Sequence, residues 1–433
     1  MSRNPFGLFL LALALCTAAA RAATIDPTRT TFHDSVREVA AAGGNATITR
    51  STLYASESAA TMTFEVALRM RNFDELQARV ANGEVISVAE KEEKYFPLAA
   101  DHEKLVAWLK AQGLGVTRTD ANRLAVFAQG SVEAVAKAFQ VTFARVKASD
   151  GLEFTSAVTA PSVPAEISAS IVGIHGLQPN IRRRPLSIPR AVQPRLNLSG
   201  YTPTQISTAY GAAALGSTGA GQTIAIYALG YPAPSDLTAF WSTTSSAQVV
   251  GNVTQVDVAG GPGSSPAADI LEEATLDVEW AGGLAPGAKI RVYGANAQDP
   301  AENDEILQQV YADALTMPTL RVLSISVGGN ESDVPKDYLI IESQYMANLA
   351  STGVTVLVAS GDSGATAENQ VQTSYPTSDP DVTGVGGTTL SLSATNTISS
   401  ETGWSDSGGG ISKVFNRPSW QAGVGVPAGT TRL

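Results

Sequence analysis

The sequence predicts a doubly wound α/β domain with a parallel sheet, preceded by a small α+β domain. Three observations carry this expectation. From about Leu198, short apolar strand-like runs alternate with helical stretches, the pattern of a parallel sheet with covering helices. Before that point short strands and helices are mixed, as in a split βαβ sandwich. Charge divides the chain at the same place. Of 29 Lys+Arg and 40 Asp+Glu, 7 and 22 lie from Leu198 onward, leaving 22 and 18 before it.

The elements follow in order. Arg3, the apolar run Phe6 to Leu15 and the small-x-small triplet Ala20-Arg21-Ala22 read as a signal peptide over 1–22, so the product is expected to be secreted. The run is shorter than the about 20 residues a membrane span needs, and no membrane association is expected after signal removal. The single cysteine, Cys16, leaves with the signal, which excludes disulfides, thiol catalysis and thiolate metal sites in the rest. Residues 23–179 form the α+β domain. Its strands are expected at Thr61–Met70, Leu124–Ala128 and Val141–Val146, and its helices at Phe73–Ala81 and Glu133–Phe139, with another N-capped by Asp101 and closed by Gly113. Residues 180–197 read as a linker: Arg182, Arg183 and Arg184 adjoin prolines that remove backbone donors and favour extended chain. Such a stretch suits protease entry, so a processing site is expected there. In the α/β domain, 198–433, strands are expected at Gln222–Leu229, Lys289–Tyr293, Arg321–Val327 and Val354–Ser360. Helices are expected from Asp236, at Glu302–Met317 and at Asp337–Leu349.

The acidic second half is a poor partner for nucleic acid. All three histidines, His33, His102 and His175, precede Leu198. The α/β domain by itself therefore holds neither a Ser-His-Asp triad nor a histidine zinc site, and proton transfer there falls to carboxylates, lysine or tyrosine. Glu273 and Asp277 stand at i and i+4 in a stretch whose Leu271, Leu276 and Val278 have helical spacing. Carboxylates so close, with Cβ atoms about 5–6 Å apart, resist double ionisation and form a workable base with a carboxyl partner. Spacing alone leaves open that Glu272, Glu273, Asp277 and Glu279 are a solvated acidic face. Ser360-Gly361-Asp362-Ser363-Gly364 follows a strand, where ligands of such sheets bind. Ser326-Val327-Gly328-Gly329 ends another strand, and Gly408-Gly409-Gly410 is expected to interrupt a later one; both suit pairing with an extended peptide.

Together the stretches EEATLDVEWAGGLAPGAKI from Glu272, VLSISVGG from Val322, VTVLVASGDSGA from Val354, YPTSDPDVTGVGGTTL from Tyr375 and SGGGISKVFNRPSWQ from Ser407 resemble the sedolisin (kumamolisin-like) family of serine-carboxyl peptidases. Upstream, AFQVTFARVKASDGLEF and IVGIHGLQP resemble that family's activation propeptide. The resemblance implies a subtilisin-like fold and a secreted proenzyme that hydrolyses peptide bonds at acid pH. It gives Glu273 the part of proton acceptor for a serine, Asp277 that of its carboxyl partner, and a protonated Asp362 that of donor to the oxyanion. Substrate backbone would pair along Ser326, Val327 and Gly328. The expected partners are protein or peptide substrates and the chain's own propeptide as inhibitor. Val327 departs from the family, which often has Trp there. The family's nucleophile lies in a Gly-Thr-Ser motif after the PSWQ-like stretch, with its calcium-binding aspartates beyond. This chain reaches Leu433 without that motif, so calcium ligands are expected outside it. A truncated or degenerate homologue that only binds peptides is the alternative; an ordinary extracellular binding protein is a third reading.

The charge division predicts that the two parts attract each other at neutral pH and separate as carboxylates protonate. Separately produced parts should bind more weakly at pH 4 than at pH 7 in a titration calorimeter. Equal affinity at both would remove charge as the explanation.

Overall fold

The structure, a computed structural model, describes residues 28–39, 46–187, 200–367, 370–371, 373–424, 426 and 429–433. The signal peptide and its cleavage site, and the linker from 188 to 197, lie outside the described residues.

In the α+β part, β1 (Thr61–Leu68), α1 (Phe73–Ala81), α2 (Val88–Lys94), α3 (Ala99–Ala111), β2 (Gly115–Thr119), β3 (Ala125–Ser131), α4 (Val132–Phe139) and β4 (Ile171–His175) follow in order. The antiparallel sheet runs β2-β3-β1-β4, the split βαβ arrangement anticipated above. Helix α4 starts where Ser131 accepts a hydrogen bond from the Ala134 N–H, and buries Val132, Val135, Ala138 and Phe139 on one face. Helix α3 begins earlier than expected: Leu98 holds the N-cap position, and Asp101 lies inside the first turn. There its carboxylate meets the positive end of the helix dipole without capping it.

Strand alternation gives this sheet two apolar faces. Phe64, Val66, Leu68 and Val126 pack with Leu105, Leu109, Val135 and Phe139 of the sheet's own helices. Ala67, Ala125, Phe127 and Val172 face the other way and join the core of the second domain.

That domain is built on a six-stranded, wholly parallel sheet of β6 (Thr223–Ala228), β7 (Val253–Asp257), β8 (Lys289–Gly294), β9 (Leu320–Ile325), β11 (Thr355–Ala359) and β13 (Thr383–Val385), in the order β7-β8-β6-β9-β11-β13. The order reverses about β6, a topological switch point. Its longer helices are α5 (Pro234–Thr243), α6 (Ala268–Leu284), α7 (Pro300–Thr316) and α8 (Lys336–Ala350). The strand expected through Val327 breaks at Ser326, and Val327–Asn330 forms a separate strand, β10, antiparallel to β12 (Ser374–Tyr375). Gly408–Gly410 interrupts no strand. The Gly408 N–H donates to the Gly361 carbonyl at 2.6 Å, so the three glycines lie in irregular chain against the loop after β11.

Helices α7 and α8 are buried on nearly every face, which an outer-layer helix is not. One side meets the parallel sheet and the other meets the α+β sheet. Polar groups between the layers are paired. Gln344 accepts from the Met70 N–H at 2.6 Å and donates to the Leu68 carbonyl at 3.1 Å. Lys91, fully buried, donates to Asn348 Oδ1 at 2.9 Å and Thr352 Oγ1 at 2.7 Å near the carbonyl end of α8, where the helix dipole favours a cation. Among the described residues, no helix is long and apolar enough to cross a membrane.

The two layers meet closely at Gly173, where an added Cβ would stand 2.5 Å from the Asp337 Cβ and 2.9 Å from Ser35 Oγ. Gly173→Val should lower stability by about 1–3 kcal/mol through overpacking of this seam. A denaturant titration checks this, and wild-type stability would show that β4 and α8 move apart freely.

Candidate active site

Helix α6 descends from the end of β7, so its first turns lie at the carboxyl edge of the parallel sheet. Ile270, Ala274 and Val278 are buried, and Ala274 and Val278 pack with Ile226, Trp241 and Ile290. Leu271 and Leu276, expected to share the apolar face, are 36% and 44% exposed and face outward. The inward rotation carries Glu273, only 7% exposed, into the protein beside Asp277. The solvated-face reading therefore fails for Glu273, although Glu272 is exposed.

Burial pushes the Asp277 carboxyl up to about 7; the neighbouring Glu273 adds to the rise and a hydrogen bond from Ser326 opposes it. Ser326 Oγ donates to Asp277 Oδ1 at 2.7 Å. Glu273 is raised by burial, relieved by a hydrogen bond from Ser187 and raised again by the charge of Asp362. Three carboxyls from α6 and the loop after β11 thus act on one another. The loop's turn needs glycine at two points: Gly361 has φ +96° and Gly364 φ +64°.

The cleft between these elements is filled by the chain itself. Arg184–Pro185 forms strand β5, antiparallel to β10, with Arg184 opposite Gly328 and Pro185 opposite Val327. The Leu186 N–H donates to the Ser326 carbonyl at 3.0 Å, and the Leu186 carbonyl accepts from the Asp362 N–H at 3.2 Å. Ser187 Oγ donates to Glu273 Oε2. Each of Ser326, Val327, Gly328, Asp362 and Glu273 therefore meets residues 184–187, and Asp277 joins them through Ser326. A Cβ at Gly328 would run into the Tyr375 carbonyl and come within 3.2 Å of Leu186 Cδ1, so glycine lets the three strands meet.

The sequence did not indicate Arg183 and Ser187 as partners of the cleft. The arginine and proline run marked an extended linker but carried no sign of what it covers.

Residues 52–179 match the Pro-kumamolisin activation domain, and residues 255–413 match the Subtilase family. The chain is 32% identical over 389 residues to kumamolisin of Bacillus sp. (strain MN-32), covering 84% of this chain and 69% of that protein. It is 29% identical over 362 residues to sedolisin of Pseudomonas sp. (strain 101), covering 77% and 61%. The solved structure of Pseudomonas sedolisin, a serine-carboxyl proteinase complexed with two molecules of pseudo-iodotyrostatin, is 28% identical over 54% of this chain and 68% of that one, with a TM-score of 0.47. The chain belongs to the kumamolisin and sedolisin family of serine-carboxyl peptidases, with an activation domain followed by a subtilisin-like α/β domain.

Among the described residues, one group of His, Asp and Glu stands close enough to share an ion: Glu65, His175 and Asp304, all buried between the two domains. His175 Nδ1 lies 2.9 Å from Asp304 Oδ2 and 3.5 Å from Glu65 Oε1. Burial disfavours charge on His175, but Asp304 and Glu65 together outweigh it and push the imidazole up to about 9. This is an ion-paired histidine, not the oxygen cage of six to eight ligands that calcium takes.

Ser326→Ala removes the donor that favours ionised Asp277, so Asp277 should titrate above about 7, as followed by carboxyl infrared bands or NMR. The same group predicts a stability effect. Asp277 holds its proton to about pH 7 in the fold but only to about 3.9 in the unfolded chain. Its contribution is therefore full below about pH 4 and lost as pH rises through 7. Asp277→Asn should melt with a flatter pH dependence across that window than the parent; parallel curves would contradict the assignment.

Proposed function

We propose that this protein is the proenzyme of a secreted serine-type endopeptidase acting at acid pH through a Glu-Asp-Ser triad, with Glu273 and Asp277 as its carboxyl members. The observation that carries this reading is the seating of residues 184–187 as an extended strand across β10, with the Leu186 carbonyl accepting from the Asp362 backbone N–H and the Ser187 hydroxyl donating to Glu273. A peptide substrate bound for hydrolysis needs the same features: backbone pairing on one side, and a carbonyl directed at an oxyanion donor next to a base. The serine nucleophile is proposed to lie beyond Leu433, as are the calcium ligands that the family resemblance implies; no step is assigned to calcium.

In this mechanism Glu273 accepts the proton of the incoming serine hydroxyl, and the Ser187 hydroxyl on Glu273 Oε2 stands where that hydroxyl would donate. Asp277 is neutral below about pH 7, so it sets no second negative charge beside Glu273 when that carboxyl ionises to act as the base. The carboxyl of Asp362 is the proposed donor to the oxyanion, as the family resemblance implies. Before activation the linker holds the cleft closed to other peptides. The bond between Leu186 and Ser187 faces this machinery, so it is our candidate for the processing bond, rather than one inside the arginine run.

In the full-length gene product at acid pH, Glu273→Gln should lower kcat/KM on a casein-derived peptide by about 10²–10⁴. Mass spectrometry of the incubated parent should find a new N-terminus at Ser187. Unchanged turnover in Glu273→Gln would refute the assigned base and favour a homologue that only binds peptides.

A further inference from the structure

We infer that the peptidase domain contains a buried subsite that selects arginine at the fourth residue on the amino side of the bond it cleaves. The inference rests on the reading of the cleft as a peptidase site. Counting back from the bond between Leu186 and Ser187, the first three residues are Leu186, Pro185 and Arg184, and the fourth is Arg183.

The three linker arginines are treated very differently. Arg184 is exposed, and its side chain reaches Asp150 at 3.1 Å. Arg182 also pairs with Asp150, and its guanidinium lies 4.8 Å from the ring centre of Phe154. Both contacts belong to the activation domain. The side chains of Arg182 and Arg183 are buried alike, 6% and 5% exposed, but only Arg183 enters the peptidase domain. Its guanidinium pairs with Glu342 and lies 4.9 Å from the centre of the Tyr227 ring, and its Nε donates to Tyr338 Oη at 3.3 Å.

The walls of this pocket come from the peptidase domain. Tyr227 lies on β6, while Tyr338 and Glu342 stand one turn apart on the inner face of α8. Glu342 has no exposed surface. A carboxylate held this deep needs a cation, and removing one partner of a buried pair leaves an uncompensated charge. Tyrosine faces add attraction for a planar guanidinium, whereas lysine carries a compact charge without the fork. The activation domain contributes His175, buried and stacked on Tyr338 with ring centres 3.8 Å apart. When that domain leaves, Tyr227, Tyr338 and Glu342 remain, together with their demand for a cation. A mere anchor for the propeptide would be built from groups that part with it.

The test uses the full-length gene product after acid removal of the propeptide. Fluorescein-labelled Ala-Arg-Ala-Pro-Leu, and the same peptide with lysine or norleucine for arginine, are titrated by anisotropy. Arginine should bind at least about tenfold more tightly than norleucine, with lysine between, and Glu342→Gln should shrink the ratio toward one. Affinities within twofold for the three peptides would overturn the subsite, whatever the variant does. Quenched-fluorescence peptides extended by Ser-Ala then separate this inference from the reading beneath it. Cleavage without arginine preference sinks the subsite and leaves the peptidase. Selective binding with no cleavage of any peptide keeps the subsite and sinks the peptidase.

Discussion

The burial of α7 and α8 between two sheets is the constraint on which the rest of the molecule depends. A helix pair covering one face of a parallel sheet ordinarily turns its other face to water. Here that face meets a second sheet, so apolar and polar residues alike are removed from solvent. Ile341, Tyr345 and Met346 share one core with Ala67, Phe127 and Val172 of the activation domain. The polar members pay for this only through specific partners, as Gln344 does at the Met70 and Leu68 backbone and Tyr345 does in donating to Glu65 at 2.7 Å. Such pairings fix the orientation of the activation domain more sharply than apolar contact can, because a shifted domain leaves buried groups unsatisfied.

Orientation matters because the linker leaves directly from this interface. Strand β4 ends at His175, and nine residues later the chain pairs with β10. The interface thus delivers residues 183–187 to the cleft in a set register. Arg183 enters between Tyr227 and Tyr338, and Leu186 reaches the loop after β11. Holding and inhibiting are one arrangement: the contact that docks the activation domain also lays an extended strand over the carboxyls.

Those carboxyls owe their character to depth as much as to spacing. Glu273 and Asp277 would titrate as ordinary acids on an outward face. Rotating α6 so that Ala274 and Val278 meet the sheet draws both inward, and burial then dominates the rise of each. Ser326 moderates the effect from a strand end remote in sequence. The parallel sheet brings the end of β9, the end of β11 and the start of α6 to one edge, which is the usual place for chemistry in such folds.

The sequence by itself determined much of the local structure and the residue types at the site. Apolar runs marked the four inner strands of the parallel sheet, because strands buried on both faces leave few polar positions to blur the pattern, whereas the edge strands β7 and β13, largely exposed, went unmarked. The absence of histidine after Leu198 directed attention to Glu273 and Asp277, and motif order supplied Asp362 and the Ser326 to Gly328 stretch. Other features were decided only by tertiary structure. Leu271 and Leu276 carry the right spacing for a buried face yet lie outward, since helical periodicity gives a stripe but not the side the sheet will choose. The run expected from Arg321 to Val327 divides at Ser326, because the following residues pair antiparallel with different strands. Three adjacent arginines look alike in a linear chain. Their separation, one entering the peptidase domain and two meeting Asp150 of the activation domain, follows from the pleat of an extended strand, whose side chains alternate, and from the carboxylate of Glu342 on α8, 159 positions after Arg183. A pairing at that distance leaves no local signature, and only the packed helices bring its two charges together.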